Sequence, residues 1–146
     1  MNDFKLSDDD RAFRDSVASC DFPIPDFDHA AHIRLAYVYL VEDQHTDSAI
    51  RSMKSALHAL LIHAGIDPSV KYHETMTQAW IYAVHHFMHQ TESADCAKDF
   101  IQQNTVLLDS NIMLSHYSAE LLFSDQARRH FLAPDLESIP RDHEDV

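Results

Sequence analysis

Histidine is the residue type in this chain best suited to chemistry, and two short stretches hold the candidates. The first is His29-Ala30-Ala31-His32. Histidines three positions apart on a helix are surface neighbours, so both imidazoles can reach one ion. The second stretch, Lys71 to Trp80, gathers Tyr72, His73, Glu74, Thr75, Thr77 and the single tryptophan. Three imidazoles with an open fourth position suit zinc or another divalent ion. His29, His32 and His73 can supply them if their two helices pack side by side. Glu74 would then act as a fourth ligand, as a hydrogen-bond partner to a ligand, or as a general base. Tyr37, Tyr72, Thr77 and Trp80 would line a pocket large enough for a small molecule.

The same residues also have a plainer use. An imidazole in a core beside Thr77 and Tyr37 can simply satisfy hydrogen bonds. Glu74 suits the first turn of a helix for dipole reasons, and Tyr72 and Trp80 suit a core that needs aromatics with a polar tip. Twelve histidines make chance pairs expected, and His85-x-x-x-His89 is another, closing a helix. Other catalytic templates fail. His73 is followed four residues on by Thr77, so the two-histidine metalloprotease helix is absent. A di-iron bundle needs repeated Glu-x-x-His motifs, and only Glu42-x-x-His45 fits, at a predicted helix end. One glycine leaves room for neither a phosphate loop nor a dinucleotide turn. Cys20 and Cys96 have no partners at metal spacing and no local reason to be thiolates. His45, His63, His130 and His143 read as solvated surface.

Helices must position these groups. Ser7 before Asp8, Asp9 and Asp10 predicts a capped first helix running to about Ser19. Pro23 and Pro25 force an extended connector. Asp26 or Asp28 caps a helix over about 28–42, in which His29, Ile33, Ala36 and Leu40 share a stripe with His32 beside it. Leu35 to Val41 is apolar on every side, so this helix is expected to be central, with a buried strand the competing assignment. Thr46-Asp47 opens a helix to about Ala64 with a core face of Ile50, Met53, Leu57, Leu60, Leu61 and Ala64, and Gly65 supplies the stop. The next helix starts at Pro68 or near Tyr72. It carries His73, Thr77, Trp80, Val84 and Phe87 on one stripe and Glu74 at its edge. Weaker helices follow over 93–103, from Asp109 or Ser110 through Tyr117, and from Ser124 to about Phe131.

With 146 residues the chain fits one domain, all-α, a bundle of about five or six helices. Residues 1–6 and 141–146 are expected to be flexible. One glycine and five prolines disfavour sandwiches and barrels. The formal net charge of −13 excludes a phosphate-neutralising role, so neither nucleic acid nor an anionic membrane is an expected partner. The N-terminus lacks the apolar stretch of a signal peptide, and Leu35 to Val41 is too short to span a bilayer. Two cysteines make no disulfide framework, so the cytoplasm is the expected compartment. The oligomeric state stays open between a monomer and a small oligomer.

Phe27-x-His29-x-x-His32, Tyr72-His73-Glu74-Thr75-x-Thr77 and Pro134-Asp135-Leu136 together resemble a pattern in a family of small bacterial helical proteins of no established function. The resemblance covers about Phe27 to Pro140. It implies a helical domain and groups His29, His32, His73 and Glu74 in one site. Two function classes are carried forward. One is a metal-binding protein, and an enzyme if Glu74 acts on a small molecule. The other is a non-catalytic helical module that binds a partner protein or an apolar ligand and whose histidines are structural.

Overall fold

The computed structural model describes residues 3–141. The predicted helices are present except the one expected through Tyr117, which is a 3-10 turn over Ser110–Ser115, and the capping chemistry explains most of the boundaries. Helix α1, Asp8–Ala18, opens on a reciprocal capping box: Ser7 Oγ accepts from Asp10 N–H, and the Asp10 carboxylate accepts from Ser7 N–H. Asp28, rather than Asp26, caps α2, His29–Asp43, by accepting from Ala31 N–H. Pro23 caps and Pro25 lies within a short 3-10 turn, Ile24–Asp26, instead of a fully extended connector.

Helix α2 is central, as its all-round apolarity demands. Leu35 to Leu40 are all buried, and burying one such leucine or isoleucine contributes about 1.5–3 kcal/mol. Helix α3, Thr46–His63, packs Ile50, Met53, Leu60 and Leu61 against α2 and α5, and Gly65 adopts φ +78° just past its end. Helix α4, Pro68–Lys71, is a single turn capped by Asp67. Helix α5, Glu74–His89, is separated from it by Tyr72 and His73, so the chain restarts rather than running on. Helix α6, Ala97–Gln103, starts later than the predicted 93 because Cys96 is its cap. Two short helices, α7, Ala119–Leu122, and α8, Asp125–Arg129, follow two 3-10 turns, Thr105–Leu108 and Ser110–Ser115.

Among the described residues there is no strand and no helix long and apolar enough to cross a membrane. An isolated parallel bridge joins Phe4 to Ala94. It ties residues 3–5, within the segment expected to be flexible, to the turn before α6. Phe4 is buried edge-on to Tyr37 and Phe100, Lys5 N–H donates to Ala94 O, and Ala94 N–H donates to Asp3 O. The expected flexibility of the C-terminal end concerns residues 142–146, which lie outside the described residues, as does His143. The segment before them is tied to α5. Thr75 Oγ1 donates to His130 O at 2.8 Å and accepts from Leu132 N–H at 3.1 Å, while Tyr117 donates to Leu132 O at 2.6 Å.

Candidate functional site

The break between α4 and α5 fixes what His73 does. Helix α5 begins at Glu74, so His73 is not on its inward stripe but is its N-cap, with an extended backbone. Its Nδ1 accepts from Met76 N–H at 3.1 Å, which leaves the proton on Nε2, and Nε2–H donates to Leu122 O at 2.7 Å. Burial lowers its pKa, partly offset by the Leu122 bond, so the ring is neutral near pH 7. Both nitrogens are spent, and no lone pair is left for a metal ion.

Glu74 is buried rather than at the edge of the stripe. Burial alone would raise its pKa, but Gln78 Nε2 at 2.7 Å, Lys54 Nζ at 2.9 Å and the Tyr72 hydroxyl at 3.4 Å hold it below the usual carboxylate value. A general base at neutral pH needs the opposite shift. The contacts of Glu74 are those of an ion pair tying α3 to the first turn of α5.

His29 begins α2 and His32 lies one turn along it. The His29 Nε2–H donates to Leu107 O at 2.8 Å, and the ring packs edge-on against Trp80 with centroids 4.7 Å apart. His32 differs from both other histidines. Its Nε2 is sealed from solvent and has no hydrogen-bond partner. Burial first, then the proximity of His29, lowers its pKa to about 4, so it too is neutral near pH 7. A buried unsatisfied polar atom costs about 1–3 kcal/mol, so this one calls for an explanation.

The predicted metal centre is not assembled. Among the described residues no group of three or more His, Cys, Asp or Glu side chains could hold an ion. The physical reason is that His29 and His73 point their Nε2–H groups at separate backbone carbonyls, leaving His32 alone. The predicted pocket exists in part. A cavity of about 470 Å³ lies between α2, α3 and the start of α5, and Tyr72, Thr77, His32 and His73 stand in its wall. Its apolar lining comes from Ile24, Phe27, Leu57, Leu61, Ile66 and Met76. Trp80 lines a neighbouring cavity of about 270 Å³ with His29 and Phe123, and His32 and Met76 stand in the walls of both cavities. Tyr37 lines neither; it is fully buried, stacked on Phe100 with centroids 4.9 Å apart, and donates to Lys5 O at 2.8 Å.

Several wall residues were not foreseen from sequence. Ile24 and Phe27 sit at the proline-containing turn, where apolar side chains in a polar connector were the available signal. Lys71 stands in the cavity wall while remaining exposed, and nothing in its spacing marks it. Behind Tyr72 a third cavity of about 390 Å³ is lined by Lys54, His58, Glu74, Arg128 and Arg129. His58 packs edge-on to Tyr72 with centroids 4.4 Å apart, and its Nε2 is also sealed and unpaired, as is that of His89. Of these unpaired imidazoles, His32 is the one that stands in the wall of the apolar cavity.

Fold and site together define an all-α, single-domain bundle with an apolar cavity that has a neutral imidazole in its wall. No family model, no curated protein and no solved structure matches the chain.

Proposed function

We propose that this domain is a non-catalytic helical module that captures a small, mainly apolar molecule in the cavity between α2, α3 and α5. The observation that carries this reading is the cavity of about 470 Å³ itself, walled mainly by apolar side chains with the neutral ring of His32 among them. The cavity's volume and its apolar walls with few polar groups match those of small-molecule sites. No bond-making step is assigned, because Glu74 is held as a weakly basic anion and His73 has no free nitrogen.

The uncharged apolar fluorophore N-phenyl-1-naphthylamine tests the proposal. It should bind with one site per chain and micromolar affinity, and Leu57→Trp, which fills the cavity from α3, should abolish that binding while thermal unfolding stays cooperative. Equal binding to the wild type and to folded Leu57→Trp, or no binding to either, would sink the cavity as a ligand site.

A further inference from the structure

The polar groups around the cavity, taken one at a time, narrow the ligand's chemistry. Thr77 Oγ1 is spent on His73 O at 2.9 Å. Both His73 nitrogens are spent on Met76 N–H and Leu122 O. The Tyr72 hydroxyl is directed to Glu74 at 3.4 Å. His32 Nε2 has no partner either, but it is sealed and out of reach of anything in the cavity. That leaves Lys71, an exposed wall residue with a full positive charge and, among the described residues, no hydrogen bond or ion pair.

Charge around Lys71 points the same way. The chain carries −13 formally, with only eleven Lys and Arg, yet Lys54, Lys71, Arg128 and Arg129 gather on the two sides of Tyr72. The carboxylates nearby are already engaged. Glu74 pairs with Lys54 at 2.9 Å, Asp125 pairs with Arg128 at 3.2 Å, and Asp67 caps α4 through Ser69 N–H at 3.0 Å. Lys71 and Arg129 are left without a carboxylate partner among the described residues. A local excess of positive charge beside an apolar cavity concentrates anions there, against the field of the molecule as a whole.

We infer that the occupant is an acidic amphiphile, whose apolar body fills the cavity between α2, α3 and α5 and whose anionic end meets Lys71. The inference rests on the cavity assignment above and adds the charge of the ligand to it. A monoanionic acid with an aliphatic body meets both requirements. A neutral lipid would leave Lys71 unmatched, and a cationic amphiphile would set like charges together.

Decanoate, decanol and decylammonium, used below their aggregation concentrations, separate these cases by calorimetry and by displacement of N-phenyl-1-naphthylamine. Decanoate should bind one per chain, decanol about tenfold more weakly, the worth of one charge-assisted contact, and decylammonium not measurably. Lys71→Met keeps the apolar stem and removes the charge on an exposed residue. It should bring decanoate down to the affinity of decanol and leave decanol unchanged. If decanoate and decanol bind the wild type equally, or if Lys71→Met leaves decanoate binding intact, the acidic end is overturned while the cavity stands. The same holds if the fluorophore binds and no ten-carbon chain displaces it. If neither the fluorophore nor any chain binds, the cavity assignment itself fails.

Discussion

At the scale of single residues, protonation of His32 is the sharpest handle on the site. Its pKa is lowered from about 6.5 to about 4 in the folded chain, the reverse of a histidine that gains a partner. The unfolded chain therefore takes up a proton before the folded one does. Stability is fully present above pH 6.5 and is lost as pH falls from there toward 4, at up to about 1.4 kcal/mol per pH unit and roughly 3 kcal/mol in all. The neighbours reinforce this. His29 on α2 and Lys71 on α4 are potential or actual cations, His73 before α5 is also shifted down, and no carboxylate stands in the walls of the two cavities that His32 lines. Melting followed by circular dichroism in ligand-free protein should show a fall in stability between pH 7 and pH 5. His32→Leu should flatten that slope and be at least as stable at pH 7, since it replaces a sealed unpaired atom with a hydrocarbon. An unchanged slope in His32→Leu would place the titration elsewhere. His73 is the contrasting case, with both nitrogens used: His73→Ala should cost about 2 kcal/mol by losing a cap and a buried bond, and His73→Asn should recover about half by restoring the cap alone. The histidines were legible in the sequence as candidates, but their roles were not. Their partners are the carbonyls of Leu107 and Leu122, backbone atoms delivered by a 3-10 turn and a one-turn helix that no periodicity announces.

At the scale of elements, one buried carboxylate joins three helices. Asp10 Oδ1 accepts from Arg34 Nε at 3.2 Å and Nη2 at 3.1 Å on α2, and Oδ2 accepts from Ala97 N–H at 2.9 Å at the start of α6. Burial pushes its pKa up, but the N–H groups of Ala97 and Ser7 and the Arg34 guanidinium together hold it below the usual value. Asp10→Asn leaves Arg34 half-matched and removes the charge, so it should destabilise by about 3 kcal/mol, while Asp9→Asn on the exposed side should stay within about 0.5 kcal/mol. Urea unfolding of the two variants checks this, and equal midpoints would mean that Asp10 is merely a helix cap. The sequence predicted Asp10 only as a first-turn acid, because spacing along α1 says nothing of what packs over it from 24 or 87 residues away. The helices were legible for the converse reason. Asp28, Asp67 and Ser124 announce N-termini through local bonds, and α2 is apolar all round because it is surrounded. The start of α5, expected at Pro68 or near Tyr72, falls at Glu74 instead, because the cap is an imidazole, outside the usual set of Ser, Thr, Asp and Asn.

At the scale of the whole molecule, composition correctly indicated an all-α domain, but not that its few cations are unevenly placed. A formal charge of −13 repels itself across a small domain, and that repulsion is weakened as the Debye length shrinks from about 30 Å at 0.01 M salt to about 8 Å at 0.15 M. Exposed pairs such as Arg11 with Asp8 lose strength on the same change, but each is worth under about 1 kcal/mol. The Asp10–Arg34 contact is shielded by burial of its carboxylate and changes little. Repulsion should therefore win, and moderate sodium chloride should raise the melting temperature by about 3 °C, the equivalent of roughly 1 kcal/mol. Decanoate binding should move the opposite way over the same range, because its contact with Lys71 lies at the exposed end of the cavity and is screened, while binding of the uncharged fluorophore should hold or strengthen slightly. Melting and titration at the two salt concentrations read both effects on one preparation. A melting temperature that falls with salt would show that the surface pairs outweigh the repulsion. Decanoate affinity that is indifferent to salt would remove Lys71 from the contact, and with it the acidic end of the ligand.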